Sequence, residues 1–335
     1  MPLPTGDVIG ILADNLRLRG SVLPISSRRA TRWTEALGLP RGGETVLYTG
    51  QMYQLIPYIE RLVRTERWLG GSPLAHLTGI GRRLNRLVNV SAFMARPSQR
   101  EREQFDRVPR NVVRLLRDVG VEFGCLYEDD LYSGALAYDL GLDELVAAHA
   151  CRVHERLQKH GVRHVITIDP HTTNMLRTVY PTFLDGWDVE VQSYLEVLAE
   201  REAEAAAATG REVVLHDSCL FARYEDVVDE PRALLHRAGV TVREPDHAGR
   251  LTWCCGGPAE SLYAEKALAQ AQRRVEQLRA TGAAECVTMC PLCLVNLSKA
   301  ADGQITFRDI ADVLLDVELG SRQVRFTEVR RAELR

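Results

Sequence analysis

The sequence repeats itself, and this repeat limits the possible folds more than any other feature. Residues 155–172 (ERLQKHGVRHVITIDPHT) align with residues 276–293 (EQLRATGAAECVTMCPLC), and both read as a helix, a glycine, a β-branched strand and a proline. The glycine suits the left-handed residue that ends many helices, and the proline suits the first position of the next helix. The two segments therefore predict one strand–helix unit that occurs twice.

The repeat extends over most of the chain. Three further pairs of segments match in the same order: 44–51 with 212–219, 115–123 with 234–242, and 131–141 with 253–263. Each half reads strand–helix–strand–helix–strand, a pattern that is typical of a parallel sheet covered by helices. We therefore predict an α/β protein with two pseudo-symmetric lobes, each built on a small, mainly parallel sheet flanked by helices.

The repeat also predicts the domain organisation. We assign an N-terminal extension to 1–43, a first lobe to 44–185, a linking helix to 186–211, a second lobe to 212–318 and a tail to 319–335. Within the linker, residues 196–210 are rich in Ala and Glu and predict a helix. The first lobe has an insertion at about 71–111, and its residues 81–110 hold eight Arg and three acidic residues. This segment is typical of a solvated helix face or of a docking surface for an acidic partner.

Composition gives a broad class. The 335 residues are 45% hydrophobic and 26% charged with a net charge of −3, values typical of a globular protein and without the excess basic charge of a nucleic-acid binder. We see no basic segment followed by an apolar stretch at the start, and no apolar run of about 18–20 residues. We therefore expect a cytoplasmic protein that does not span a membrane, with peripheral attachment to a membrane complex left open.

Five of the eight cysteines lie where strands of the second lobe are predicted to end. They are Cys219, the adjacent pair Cys254 and Cys255, and Cys290 with Cys293. Because loops that follow parallel strands gather at one edge of a sheet, these thiols are expected to converge. A site of thiolates alone selects zinc or an iron–sulfur cluster. A structural zinc takes four ligands, so the fifth cysteine and the adjacent pair favour a cluster with several irons.

Residues beside the motif have several interpretations. His216 and Asp217 precede Cys219, where they could donate hydrogen bonds to cluster sulfurs or a proton to a thiolate product, or could simply pack at the strand end. The remaining cysteines, Cys125, Cys151 and Cys286, are expected to be buried and inert.

The first lobe lacks the cysteines. The five corresponding positions are occupied by Gln51, Tyr132, Ser133, Asp169 and Thr172. None of these is a soft ligand, so we predict no iron–sulfur cluster in this lobe and one cluster per chain. Asp169 is expected to cap the helix that follows it. A zinc or hard-metal site built from Asp169 with nearby histidines is the alternative, although the histidines share no helix face: His149, His154, His164 and His171.

The order Cys…Cys-Cys-Gly…Cys-x-x-Cys resembles the cysteine-rich CCG domain, over roughly residues 44–300. That domain occurs, usually twice, in the B subunit of heterodisulfide reductases. It also occurs in iron–sulfur subunits of glycolate oxidase, lactate-utilisation and glycerol-3-phosphate dehydrogenase systems and of some succinate dehydrogenases. The resemblance implies that the five motif cysteines bind a [4Fe–4S] cluster, of the non-cubane kind found in heterodisulfide reductases.

The resemblance also implies a function. We expect an iron–sulfur subunit of a heterodisulfide-reductase-like complex, which exchanges electrons with a disulfide or thiol substrate. The chain has no Cys-x2-Cys-x2-Cys-x3-Cys-Pro run and no Gly-x-Gly-x-x-Gly after a strand, so the other redox groups must lie on partners. A ferredoxin-like iron–sulfur subunit and a flavoprotein subunit are the expected partners. Two alternatives remain: an electron relay for a flavin-dependent 2-hydroxy-acid dehydrogenase, such as one acting on glycolate or lactate, and a zinc scaffold without redox function.

Overall fold

The computed structural model describes residues 5–23, 25–69, 97–201, 207–257, 260 and 263–317. In these residues the chain forms two four-stranded sheets, each flanked by helices. The predicted fold class, an α/β protein with two lobes, is confirmed. Within the same part of the chain, no helix combines the length and the apolar character needed to cross a membrane.

The first sheet is formed by β1 (Thr45–Tyr48), β2 (Gly124–Cys125), β3 (His164–Thr167) and β4 (Glu190–Ser193), in the order β2-β1-β3-β4. β1 pairs in parallel with β2 and β3, so that Val46 lies opposite Gly124 and Val165. Val46, Leu47, Val165 and Ile166 have no exposed surface. Central strands with apolar residues on both faces are typical of a sheet that is covered on both sides.

Two helices of this half precede β1, and the others lie between its strands. They are α1 (Thr5–Arg19), α2 (Ser27–Ala30), α3 (Met52–Leu69), α4 (Gln99–Asp118), α5 (Ala135–Asp139), α6 (Asp143–Lys159), α7 (Pro170–Asn174) and α8 (Tyr180–Phe183). In α6, Val146, Ala150, Val153 and Leu157 recur every three or four residues, and all four are buried. This spacing places the apolar residues on one face of the helix, which packs into the core.

The second sheet repeats the first. Its strands are β5 (Glu212–His216), β6 (Thr241–Arg243), β7 (Glu285–Thr288) and β8 (Thr306–Asp309), in the order β6-β5-β7-β8. β7 pairs in parallel with β5 and β8, so that Val287 lies opposite Leu215 and Arg308. Strand for strand, this is the order of the first sheet, as the sequence repeat predicts.

Each sheet has one strand more than the repeat predicts. The additional strands, β4 and β8, lie at the outer edge of their sheets. Each is only partly buried, because one side of an edge strand faces away from the core. Short strands of this kind lack the apolar run by which a central strand is recognised.

The core of the second half lies between its sheet and two of its helices. The described helices here are α9 (Tyr194–Ala199), α10 (Asp229–Arg237), α11 (Ala264–Ala280) and α12 (Pro291–Ala301), and residues 310–317 are also helical. Ala271, Val275 and Leu278 of α11 pack with Cys286 of β7 and Leu297 of α12. Cys286 is therefore a packed thiol, as expected.

The chain divides into two compact units. The first comprises residues 1–110 and 123–192, and the second comprises residues 111–122 and 193–335. The end of α4 thus belongs to the second unit, where the side-chain amide of Asn111 donates to Asp312 over 2.7 Å. From the sequence, we assign the whole of 44–185 to the first lobe. The sequence shows which face of a helix is apolar, but it does not show which of the two cores that face packs against.

The segment 186–211 is not one continuous helix in its described part. It contains β4 and α9, and residues 207–211 are not helical. A capping box starts α9: the Ser193 hydroxyl accepts from the N–H of Leu195, and Glu196 accepts from the N–H of Ser193. The helix expected over 196–210 therefore ends at Ala199.

Most of the arginine-rich insertion, residues 70–96, lies outside the described residues. Its described end forms the start of α4, with Phe105 and Val108 buried. Arg110 donates its Nε to the carbonyl of Trp33 over 3.0 Å and pairs with Glu103. Arg110 therefore makes these contacts within the first unit. That the insertion forms a docking surface stays a prediction.

Candidate metal centre

The five motif cysteines follow three neighbouring strands of the second sheet. Cys219 follows β5, Cys254 and Cys255 follow β6, and Cys290 follows β7, while Cys293 lies in the first turn of α12. β5 lies between β6 and β7 and is parallel to both. Since the carboxyl ends of parallel strands meet at one edge, the fold brings these side chains to one place.

The thiols form a chain of neighbours. The sulfur of Cys219 lies 3.8 Å from that of Cys254, and the sulfur of Cys255 lies 3.2 Å from that of Cys293. Hydrogen bonds also join Cys254 to Cys255 and Cys293 to Cys290. In the described part of the chain, no group of three or more His, Cys, Asp or Glu side chains surrounds one position suited to a single metal ion. A chain of sulfurs suits a cluster of several atoms better than one tetrahedral ion.

The site is closed on one side and accessible on the other. Cys255, Cys290 and Cys293 are 1–2% exposed. Cys219 and Cys254 are partly exposed. Cys219 and Cys254 are therefore the motif cysteines that solvent reaches.

The protein alone does not ionise all of these thiols. The hydrogen bond with Cys254, together with burial, raises the pKa of Cys219 and of Cys255, and the hydrogen bond with Cys255 raises the pKa of Cys293. The pKa of Cys254 is lowered, because the thiols of Cys219 and Cys255 and a backbone N–H donate to its sulfur. A bound positive charge, such as a metal, would favour loss of the protons of Cys219, Cys255 and Cys293.

Two glycines bring the backbone close to the sulfurs. Gly256 has a φ of +77°, and a Cβ there would lie 2.8 Å from the carbonyl oxygen of Ala267. A Cβ on Gly257 would lie 3.4 Å from the sulfur of Cys255. The N–H of Gly256 donates to Cys254 over 3.3 Å, and that of Gly257 donates to Cys255 over 3.4 Å. Backbone donors aimed at sulfur stabilise thiolates, so this donor set fits a cluster bound through sulfur.

This part of the sequence matches a known family. The model of the CCG family, described as a cysteine-rich domain, matches residues 213–298. Residues 213–298 form a CCG domain. The match includes β5, β6, β7 and all five motif cysteines.

Similar curated proteins are named as oxidoreductases or ferredoxins. The chain is 31% identical over 230 residues to the EtfAB:quinone oxidoreductase of Syntrophomonas wolfei, a match of 63% of this chain and 32% of that protein. It is 29% identical over 227 residues to the probable iron-sulfur-binding oxidoreductase FadF of Bacillus subtilis, covering 64% and 32%. It is 26% identical over 223 residues to a probable membrane-anchored ferredoxin of Chromohalobacter salexigens, covering 62% and 33%. The chain thus spans 32–33% of the length of these relatives.

Asp217 anchors the loop that carries the Cys-Cys-Gly turn of the CCG domain. Its carboxylate accepts two hydrogen bonds from Arg232, over 2.8 and 2.9 Å, and one from the N–H of Gly249 over 2.7 Å. Its carbonyl accepts from the Thr252 hydroxyl over 3.0 Å. These bonds tie the end of β5 to the residues just before Cys254. A role of Asp217 toward a cluster or a substrate stays a prediction.

His216 ends β5 and is fully buried in the CCG domain. Its Nδ1 accepts a hydrogen bond from Nε of Arg274 over 3.2 Å. Burial, followed by the charge of Arg274, lowers the pKa of His216 to about 3. The imidazole is therefore neutral over the physiological pH range and cannot act there as an acid in its charged form.

Arg274 is the residue near the site that the sequence reasoning missed. It lies on α11 and has no exposed surface. Its position is the signal that could have identified it, because it stands three residues after Ala271 and four before Leu278, on the buried face of the helix. Arginine is rarely buried in protein interiors, so its residue type predicts exposure. Its position on the apolar face of the helix is what indicates burial.

The corresponding positions of the first lobe hold oxygen-bearing side chains, all buried: Gln51, Tyr132, Ser133, Asp169 and Thr172. The Gln51 amide donates to the carbonyl of Asp130 over 2.7 Å, and the Tyr132 hydroxyl accepts from the N–H of Leu136 over 2.9 Å. Oxygen-bearing side chains replace thiolates here, and among them the oxygens of Tyr132 and Asp169 accept hydrogen bonds from backbone N–H groups. The absence of an iron–sulfur cluster from this lobe stays a prediction.

Other candidates have separate partners. Asp169 caps α7 as predicted, since its Oδ1 accepts from the N–H of His171 and of Thr172. His149 lies 2.5 Å from the carbonyl of Tyr132, and His154 lies 3.4 Å from Asp188. These contacts do not gather the histidines around one ion.

The two remaining cysteines differ. Cys125 is buried in β2, and burial raises the pKa of its thiol to about 11, as expected for an inert residue. Cys151 is exposed, so its expected burial is wrong. It follows Ala150 on α6 and falls outside the buried stripe of that helix.

Proposed function

We propose that this chain is the iron–sulfur electron-transfer subunit of an oxidoreductase similar to heterodisulfide reductase. In this proposal, one [4Fe–4S] cluster of the non-cubane kind is held by Cys219, Cys254, Cys255, Cys290 and Cys293. The gathering of these five thiols at one sheet edge of a CCG domain is the observation that carries it. The names of two relatives, an iron-sulfur-binding oxidoreductase and a ferredoxin, support the same class of cofactor.

The cluster supplies one-electron redox chemistry, and the protein controls its surroundings. Cys255, Cys290 and Cys293 hold it from the buried side, where water is excluded. The N–H groups of Gly256 and Gly257 stabilise thiolate sulfur. Cys219 and Cys254 are accessible and face the route by which a disulfide or thiol substrate arrives. This accessibility supports direct contact with a sulfur substrate.

A second candidate is a pure electron relay. The first relative is named an EtfAB:quinone oxidoreductase, and this name favours electron transfer between EtfAB and a quinone for that protein. In this version no substrate reaches the cluster, and a 2-hydroxy-acid dehydrogenase system is one possible setting. Both versions use a ferredoxin-like iron–sulfur subunit and a flavoprotein subunit as partners.

Iron and acid-labile sulfide analysis of anaerobically purified protein tests the cofactor. We expect about four irons and four sulfides per chain, the content of one [4Fe–4S] cluster. Cys255→Ala should lose most of this iron, whereas Cys286→Ala, which removes another buried thiol of the same unit, should keep it. A colourless protein with stoichiometric zinc would contradict the proposal, and about eight irons per chain would contradict a single cluster.

Substrate turnover separates the two versions. The complex with its partners is given a heterodisulfide in one assay, and a reduced flavoprotein with a quinone or a 2-hydroxy acid in others. Heterodisulfide reduction supports direct substrate contact. Turnover confined to the flavin-linked assays assigns the chain to the relay.

A further inference from the structure

Arg274 places a full positive charge inside the CCG domain, on the buried face of α11. The guanidinium group stays protonated in proteins, so burial cannot be relieved by loss of a proton. An unpaired buried charge costs several kcal/mol even after the protein relaxes. A negative charge must therefore lie near it in the functional state.

The direct contacts of Arg274 do not supply that charge. Nε donates to His216, one terminal nitrogen donates to the carbonyls of Asp246 and His247 and to the Gln277 amide oxygen, and the other donates to the Thr252 hydroxyl, over 2.8 to 3.4 Å. All of these acceptors are neutral. They satisfy the hydrogen bonds of the guanidinium group and leave its charge unbalanced.

The acidic groups near Arg274 include a thiol of the motif. Burial lowers the pKa of Arg274, and the groups that oppose this are Cys286, Asp217, Cys293 and Glu244, in that order. Cys286 remains a neutral thiol, because burial raises its pKa. Asp217 and Glu244 share one cation, Arg232, so together they leave one negative charge that offsets part of the charge of Arg274. Cys293, a motif cysteine, also faces this charge, and as a ligand of the proposed cluster it would be a thiolate.

Arg274 also fixes the tautomer of His216. Because Nδ1 of His216 accepts from Arg274, the proton of the neutral ring is on Nε2. This buried Nε2 has no hydrogen-bond partner among the residues that the structure describes. His216 lies close enough to Cys254 for each group to shift the pKa of the other. A sulfur atom in the motif site is thus the partner that this N–H lacks.

We propose that Arg274 and His216 together raise the reduction potential of the cluster. Arg274 supplies a fixed positive charge and holds His216 in the form that offers Nε2–H to a cluster sulfur. Reduction adds negative charge, which a cation and an N–H donor both stabilise, so the reduced form gains most. The two side chains are positioning residues, and this inference rests on the proposed cluster site.

Potentiometric titration of the reconstituted full-length protein, followed by electron paramagnetic resonance, tests this inference. At a given potential, Arg274→Gln should lower the ratio of reduced to oxidised cluster by about tenfold or more, which is a shift of about 59 mV for one electron. Arg274→Lys keeps the charge and should recover part of the shift. Arg273→Gln removes the exposed arginine next to it on the same helix and should leave the potential unchanged.

His216 is tested in the same titration. His216→Leu removes the N–H donor and should lower the potential, whereas His216→Gln keeps an acceptor for Arg274 and a donor for sulfur and should restore part of it. An iron-loaded Arg274→Gln protein with the wild-type potential would overturn the inference and leave the proposed function intact. Wild-type protein without iron would overturn both. If Arg274→Gln does not retain iron, a wild-type potential in iron-loaded His216→Leu protein would overturn the inference.

Discussion

At the scale of single residues, the site depends on a backbone conformation that side chains disfavour. Gly256 has a φ of +77°, in the left-handed region, and its Cα faces the carbonyl of Ala267. Gly282, at the end of α11, has the same φ of +77°, but no described residue has an atom within 4 Å of the position of a Cβ there. The two glycines have the same φ and differ in their surroundings. Comparing them therefore separates the need for a left-handed backbone from the need for space beside the residue.

Alanine at these positions should therefore have different effects. Gly282→Ala should reduce the free energy of unfolding by about 1–2 kcal/mol, the cost of a left-handed alanine. Gly256→Ala should reduce it further, because its Cβ would lie 2.8 Å from the oxygen of Ala267. Chemical denaturation of both variants measures the difference. Equal losses would show that α11 shifts freely and that the dihedral angle is the whole requirement.

Sequence reasoning identified the five cysteines and missed Arg274, for different physical reasons. The cysteines are tied to the ends of apolar strands, and a strand end in a parallel sheet has one location. An arginine in a helix normally lies on the solvated face, so its residue type predicts exposure. Only its register with Ala267 and Ala271 indicates that Arg274 is buried, and its contacts with His216 and Thr252 come from distant parts of the chain.

At the scale of secondary structure elements, the two lobes use the same strand–helix junction with different groups at the cap. Asp169 caps α7 with its carboxylate. Cys290 stands at the corresponding position of α12, where its side chain forms no capping hydrogen bond. The amino-terminal end of a helix stabilises negative charge, including a thiolate. This junction can therefore stabilise a negative charge in both lobes. In the first lobe that charge is the carboxylate of Asp169.

The cap in the first lobe can be tested by itself. Asp169→Ala should lower the free energy of unfolding by about 0.5–2 kcal/mol, because the N–H groups of His171 and Thr172 lose their acceptor. Asp169→Asn keeps an acceptor oxygen and should lose less. Thermal or chemical unfolding of the two variants measures this. Equal losses would indicate that the charge of Asp169, rather than its hydrogen bonds, stabilises the junction.

Elements were predictable from sequence where their pattern is strong. The central strands β1, β3, β5 and β7 are apolar runs and were located from the repeat. The edge strands β4 and β8 are mostly polar and were not located. The Ala- and Glu-rich segment 196–210 favours a helix by composition, yet the helix ends at Ala199, because helix propensity is a weak preference that tertiary context overrides.

At the scale of the whole molecule, two units share one topology and differ in the groups at the carboxyl ends of their strands. The second unit gathers thiols there, and the first gathers hydroxyl, amide and carboxylate groups. Binding of a metal cluster contributes to folding stability only in the unit that supplies the ligands. The strands β3 and β7 occupy equivalent positions in the two sheets but end beside different side chains. The first unit therefore serves as an internal control for the effect of a cluster on the second.

Hydrogen exchange with and without the cluster should show this difference. Anaerobic reconstitution should slow exchange in peptides that cover β5 and β7, because their carboxyl ends carry Cys219 and Cys290. Peptides that cover β1 and β3 should change much less, because Gln51 and Asp169 follow these strands and supply no thiolate. Removal of iron with a chelator should reverse the effect. Equal slowing of β3 and β7 would mean that the first unit also binds a metal group, or that the two units unfold as one.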